Sequence, residues 1–90
     1  MKFIYKFEFS RDAEKQFARL DKILRARIFK KLTFFQNLKD PLSHAKPLRG
    51  YERCFRFRVG DYRVIVTPKA DGTLVILLIL KIAHRREVYD

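Results

Sequence analysis

Pro47-Leu48-Arg49-Gly50-Tyr51-Glu52-Arg53-Cys54-Phe55-Arg56-Phe57-Arg58-Val59-Gly60-Asp61-Tyr62-Arg63-Val64-Ile65-Val66-Thr67 reads as a β-hairpin. Apolar and basic residues alternate from Phe55 to Val59, the pattern of a half-buried strand. Gly60-Asp61 is a two-residue turn with glycine first, which suits type II′ geometry. Tyr62 to Thr67 is rich in β-branched residues, as a second strand should be. A two-residue loop sets Val59 opposite Tyr62 and Arg58 opposite Arg63. Side chains alternate faces with period two. Phe55, Phe57, Val59, Tyr62, Val64 and Val66 therefore share a core face. Cys54, Arg56, Arg58, Arg63, Ile65 and Thr67 share the other.

Like charges directly opposite on paired strands destabilise a sheet. A fold that sets Arg58 across from Arg63, with Arg56 on the same face, accepts that cost. A polyanion would relieve it, and the planar guanidinium fork suits bidentate phosphate contact. A solvated face kept basic for solubility would carry the same residues, so the rest of the chain has to decide.

The 90 residues contain 21 Lys+Arg against 10 Asp+Glu, a net charge of +11. An excess of this size implies an acidic partner: nucleic acid, a ribosome, an anionic membrane or an acidic protein. The length fits one domain, residues 1–90, with a small core. The single cysteine, Cys54, excludes an internal disulfide framework. No apolar stretch follows the first lysine, so no secretory leader is expected. The longest apolar run, Leu74 to Leu80, is too short to span a bilayer as a helix. A cytoplasmic location without membrane attachment is the expectation.

From the start of the chain, Phe3, Tyr5, Phe7 and Phe9 alternate with Lys2, Ile4, Lys6 and Glu8, which predicts a strand with an aromatic inner face. Ser10 caps a short helix ending near Leu20, with Ala13, Phe17 and Leu20 as its apolar stripe. Asp21 caps a longer helix to about Leu38. Its stripe is Leu24, Ile28, Leu32 and Phe35, widened by Ile23, Phe34 and Leu38. Asn37 to Pro47 holds two prolines and reads as loop. After the arginine hairpin, Pro68 ends its second strand and Lys69 to Gly72 makes a turn. Thr73 to Ile82 is apolar on both sides, as in a covered central strand. The fold class is α+β, in the order β-α-α-β-β-β: an antiparallel sheet with an N-terminal helical hairpin packed on one face. The opposite face, bearing Arg56, Arg58 and Arg63, is left open.

His44, His84 and Cys54 lie apart, and no carboxylate cluster has ligand spacing, so no metal is expected. There is no nucleophile elbow, phosphate-binding loop or dinucleotide fingerprint. The two helices lack the glycine turn of a DNA-reading pair. The titratable groups near the chain's end are His84 and Tyr89, the latter able to move a proton or to stack on a base. Arginine does not act as a base at ordinary pH.

These residues resemble the RelE/ParE superfamily of toxin–antitoxin toxins, and its RelE branch in particular. The resemblance rests on Leu48-Arg49-Gly50, the Phe55-Arg56-Phe57-Arg58 strand, Val59-Gly60-Asp61-Tyr62-Arg63-Val64 and the Lys81 to Tyr89 segment. It implies a small toxin neutralised by an acidic, RelB-like antitoxin. It further implies a metal-independent, cofactor-free endoribonuclease that cuts messenger RNA in the ribosomal A site by 2′-OH attack on the adjacent phosphate.

Carried onto this chain, the resemblance gives catalytic roles to Arg63, Arg85 and Tyr89, and His84 joins them as the nearby titratable group. It gives RNA or phosphate binding to Arg56, Arg58, Arg49, Lys81 and Arg86. Arg56 and Arg58 stand where well-known RelE proteins have lysines. A guanidinium keeps its proton, so these two fit charge stabilisation, and proton transfer falls to His84 or Tyr89. Two other readings remain open: a ParE-like protein that inhibits DNA gyrase without catalysis, and an RNA-binding toxin that has lost its chemistry.

Overall fold

Two side-chain caps set the helical part of the chain. The Ala13 N–H donates to Ser10 Oγ at 3.1 Å, opening helix α1 (Arg11–Ala18). The Leu24 N–H donates to Asp21 Oδ1 at 2.9 Å, opening helix α2 (Lys22–Gln36). Each cap satisfies one of the N–H groups that a helix start leaves without a partner. The computed structural model describes residues 3–87. Strand β1 (Ile4–Phe9) precedes the helices; a 3-10 helix (Pro41–His44) and strands β2 (Lys46–Pro47), β3 (Phe55–Val59), β4 (Tyr62–Asp71) and β5 (Leu74–His84) follow, then a 3-10 turn (Arg85–Glu87).

The strands form one sheet in the order β1-β5-β4-β3-β2. The last three strands form the expected antiparallel meander. The sheet as a whole is mixed rather than antiparallel, because β1 runs parallel to β5, with Ile4 beside Leu74 and Phe9 beside Ile79. Two tight turns make the meander, each with glycine first at positive φ: Gly60 at 60° and Gly72 at 63°. Asp61 does not share the positive φ, which separates type II′ from type I′.

Several boundaries differ from the sequence expectation. Lys46–Pro47, read as loop, pairs with Arg56 and Phe55 as a two-residue edge strand. Pro68, read as a terminator, lies inside β4 opposite Leu77. It is tolerated because β3 begins opposite Val66, so β4 has no paired strand on that side at Pro68. The turn after β4 is therefore Gly72-Thr73, and Lys69 to Asp71 belong to the strand.

The core lies between the helices and one sheet face. Phe57, Ile28, Leu77, Ile79, Val64 and Val66 are fully enclosed. Phe57 is its centre: its ring meets Phe7 edge-on at 5.4 Å and Phe35 at 4.9 Å. Ile28, Leu32 and Phe35 point inward from α2, whereas Ile23 and Phe34, read as part of that stripe, are 75% and 52% exposed. The helix buries a narrower stripe than its apolar content suggests. On the open face of β5, Leu74, Ile76, Leu78 and Leu80 are half-buried rather than covered.

Sheet edges expose backbone groups that would pair with another strand. Two helical glutamines close such positions. The Phe7 N–H of edge strand β1 donates to Gln36 Oε1 at 2.8 Å. The Ile82 N–H, on the stretch of β5 beyond the end of β1, donates to Gln16 Oε1 at 2.8 Å. These bonds tie each helix to the sheet independently of the apolar core.

Phe57→Ala is expected to cost about 3–5 kcal/mol of unfolding free energy in a denaturant titration, because it empties the centre of the core. A loss below about 1 kcal/mol would place Phe57 on the outer face.

Candidate functional site

The hairpin register sets the candidate site. Val59 pairs with Tyr62, Arg58 with Arg63, Phe57 with Val64 and Arg56 with Ile65. Phe57, Val59, Val64 and Val66 are buried against the helices, so Arg56, Arg58 and Arg63 point to the open face. A β-bulge then decides what β5 contributes. Val66 pairs with Ile79 but Ile65 with Lys81, so Leu80 is an extra residue. Bulges re-aim the residues that follow them. Here the shift places Lys81 and Ala83 on the open face and Ile82 and His84 on the core side.

The open face is organised in cross-strand rows. Lys46, Arg56, Ile65 and Lys81 make one row across four strands. Arg58, Arg63 and Ala83 make the next. Ile65 and Ala83 are 5% and 4% exposed although both belong to this face. Their row neighbours carry long aliphatic stems, which cover apolar surface while the charged heads stay outside.

Arg63 is the centre of the cluster. Burial, followed by the charges of Arg58, Arg56 and Arg85, pushes its guanidinium below the usual arginine range, and Asp61 opposes the shift. Among the described residues, Arg63 Nη1 is buried with no hydrogen-bond partner. Such an orphaned donor is costly unless a ligand acceptor meets it. Arg58 Nε–H turns back to the Gly60 carbonyl at 3.3 Å.

Arg85 joins the cluster through the turn. Its N–H donates to the Asp61 carbonyl at 2.7 Å, and its Nε lies 3.8 Å from Asp61 Oδ1. Both side chains are half exposed or more, so the ion pair holds Arg85 in place more than it stabilises the fold. Asp61, read from sequence only as a turn former, is thus, among the described residues, a carboxylate that acts on the arginines by both contact and charge. Lys46 was also missed, because its strand is two residues long and exists only through pairing with β3.

The other residues singled out in the sequence are placed differently. His84 pairs with Tyr62 and meets its ring edge-on at 5.4 Å, on the side of the sheet opposite Arg63. Its Nδ1 accepts from the Arg86 N–H at 3.3 Å. Arg86 is exposed in the 3-10 turn. Arg49 is exposed in the loop that closes with the Leu48 N–H on the Cys54 carbonyl, at the end of the hairpin away from Gly60. It does not join the Arg63 cluster. Tyr89 lies outside the described residues. No group of three or more His, Cys, Asp or Glu side chains suited to a metal occurs among the described residues.

Arg63→Met removes both the like-charge opposition and the orphaned donor while keeping the stem. It is expected to stabilise the protein by about 1 kcal/mol, or roughly 4–8 °C in Tm for a domain of this size. A fall in Tm would mean that Arg63 has a satisfied structural role.

The family model for the ParE toxin of type II toxin–antitoxin systems matches residues 7–89. Toxin RelE3 of Methanocaldococcus jannaschii is 30% identical over 54 residues, which are 60% of this chain and 57% of that protein, so the match spans little more than half of the relative's length. The toxin–antitoxin complex RelBE2 from Mycobacterium tuberculosis contains a similar chain, with a TM-score of 0.73, 25% identity and coverage of 94% of this chain and 95% of that one. The archaeal RelE–RelB complex from Pyrococcus horikoshii OT3 shares the fold, with a TM-score of 0.66, 21% identity and coverage of 92% and 97%. With nearly the whole chain inside the family match and the same architecture in RelE complexes, this protein belongs to the family of ParE toxins of type II toxin–antitoxin systems, within the RelE/ParE superfamily.

Proposed function

We propose that this toxin is a ribosome-dependent endoribonuclease that works in the cytoplasm and cuts messenger RNA in the A site. The observation that carries this reading is the gathering of Arg56, Arg58 and Arg85 around the partly buried Arg63 on an open sheet face. Cleavage by 2′-OH attack forms a bond from the 2′-oxygen to phosphorus and breaks the bond to the 5′-oxygen. It leaves a 2′,3′-cyclic phosphate and a 5′-hydroxyl. Negative charge builds on the phosphoryl oxygens as the five-coordinate state forms. Preorganised cations aimed at that charge lower the barrier without metal or cofactor.

In this reading Arg63, whose Nη1 lacks a partner among the described residues, donates to a phosphoryl oxygen. Arg85, steadied by Asp61, contacts the same phosphate. Arg56 and Arg58 carry the neighbouring phosphates, with Lys81 extending the row. The phenol of Tyr89 gives its proton to the departing 5′-oxygen and takes one up from the 2′-OH, so that proton transfer closes on one group. His84 is set aside because it belongs to the opposite side of β5. The partner that silences the toxin is an acidic, RelB-like antitoxin. The solved relatives are complexes with RelB, and a net charge of +11 favours an acidic partner.

The match to a ParE family model supports a second reading, binding and inhibition of DNA gyrase without catalysis. Fold does not separate the two, since one architecture hosts several functions. The arginine cluster favours the first, because a non-catalytic gyrase binder has no need of a strained phosphate site.

Primer extension on messenger RNA from a cell-free translation reaction tests the choice. Wild-type protein is expected to give cuts at the A-site codon. Arg85→Ala and Tyr89→Phe are expected to reduce cutting by about a hundredfold or more, and His84→Gln by much less. Intact message with wild-type protein, together with gyrase inhibition, would replace this reading by the second.

A further inference from the structure

On the helix side of the hairpin tip, across the sheet from the arginine face, is a groove of about 420 Å³. It is lined by Arg27, Lys30, Lys31 and Phe34 from α2 and by Val59 and Gly60 from the hairpin. Among the described residues, three cations and no carboxylate line it. Arg27, Lys30 and Phe34 follow one another on a single flank of the helix at spacings of three and four residues. The Phe34 ring is 52% exposed and has three lysine and arginine neighbours in its groove. The Lys31 ammonium lies 5.2 Å from the Phe34 ring centre and 5.3 Å from that of Phe35, which holds the exposed ring at the groove wall.

We propose that this groove is a second RNA subsite, which takes one unpaired nucleotide with its base stacked on Phe34 and its flanking phosphates on Arg27, Lys30 and Lys31. An aromatic ring inside a cationic groove is the arrangement that holds single-stranded nucleic acid without reading its sequence. A protein helix would need a run of apolar surface. Among the described lining residues, Phe34 is the one large apolar side chain that is exposed, because Val59 is 4% exposed and already belongs to the core. A nucleotide needs a single ring. The position adds a further reason. Val59 faces the groove while its neighbour Arg58 faces the open side, so the hairpin tip is the ridge between the two surfaces. RNA passing around Gly60 meets both. The proposal rests on RNA being the partner of this toxin, and it adds a contact that anchors the strand outside the cleavage face.

The test is fluorescence anisotropy with the purified full chain and a short fluorescein-labelled oligouridine carrying 2′-O-methyl groups, which block cleavage. Phe34→Ala is expected to raise Kd about tenfold without changing the salt dependence, as loss of one stacked base should. Phe34→Tyr keeps the ring and is expected to bind like wild type. Lys30→Ala is expected to lower the slope of log K against log salt by about 0.7, one phosphate contact on a single strand. Phe29→Ala is the control: Phe29 is 63% exposed on the same helix but does not line the groove. All these side chains are exposed, so unchanged Tm values certify the fold.

If Phe34→Ala and Lys30→Ala bind like wild type while Arg63→Ala binds weakly, the subsite is refuted and the arginine face stands. If the groove variants bind weakly while Arg63→Ala binds and cuts normally, the subsite stands and the arginine face is misassigned. A Phe34→Ala protein that binds oligouridine normally but no longer co-purifies with a co-expressed acidic antitoxin refutes the RNA subsite in favour of a protein surface.

Discussion

The two-residue turn at Gly60-Asp61 is the constraint on which the rest of the structure depends. A loop of that length permits one register, and one register fixes which side chains face the helices. Phe57 and Val64 pair inward and complete the core. Arg58 and Arg63 must then pair outward. Core and cationic face are two consequences of one turn. A slip by a single residue would bury guanidinium groups and expose phenylalanines, which the small core could not survive. The arginine cluster is therefore not free to relax by shifting the strand. Its like-charge strain persists because the core opposes any move that would relieve it.

That coupling gives the site its character. A buried donor without a partner among the described residues and a ring of cations around it are costs in the absence of a ligand and assets in its presence. Asp61 moderates the cost by holding Arg85 at the cluster's edge. The bulge at Leu80 adds to it by turning Lys81 outward and Ile82 inward. Helix caps, aromatic packing around Phe57 and the two glutamine bonds to the sheet supply the stability against which this strain is held.

What could be read from the chain alone follows the same logic. Turn type, register and the two faces of the hairpin are local properties, and each was legible from a few adjacent residues. Ser10 and Asp21 likewise announce their helices through local capping chemistry. Features set by distant partners were not legible. Lys46–Pro47 becomes a strand only because Arg56 and Phe55 lie beside it. The parallel neighbour of β1 depends on where the helices return the chain. The continuous apolar run of β5 gives no sign of the bulge, so the sequence could not say which of Lys81 and His84 shares the face of the arginines. Ile23 and Phe34 fit an apolar stripe on α2, but the width of the stripe is decided by the sheet it meets, and that sheet leaves both outside.

The most direct measurement of the central claim is the side-chain Nε–H spectrum of the arginines by ¹⁵N-resolved NMR during titration with a cleavage-resistant RNA. Joint movement of the Arg56, Arg58, Arg63 and Arg85 signals, with Arg49 and Arg19 unmoved, is expected if the strained face is the phosphate site. Equal shifts for Arg49 and Arg19 would mean that RNA meets a diffuse positive surface and that the cluster has no special part in binding.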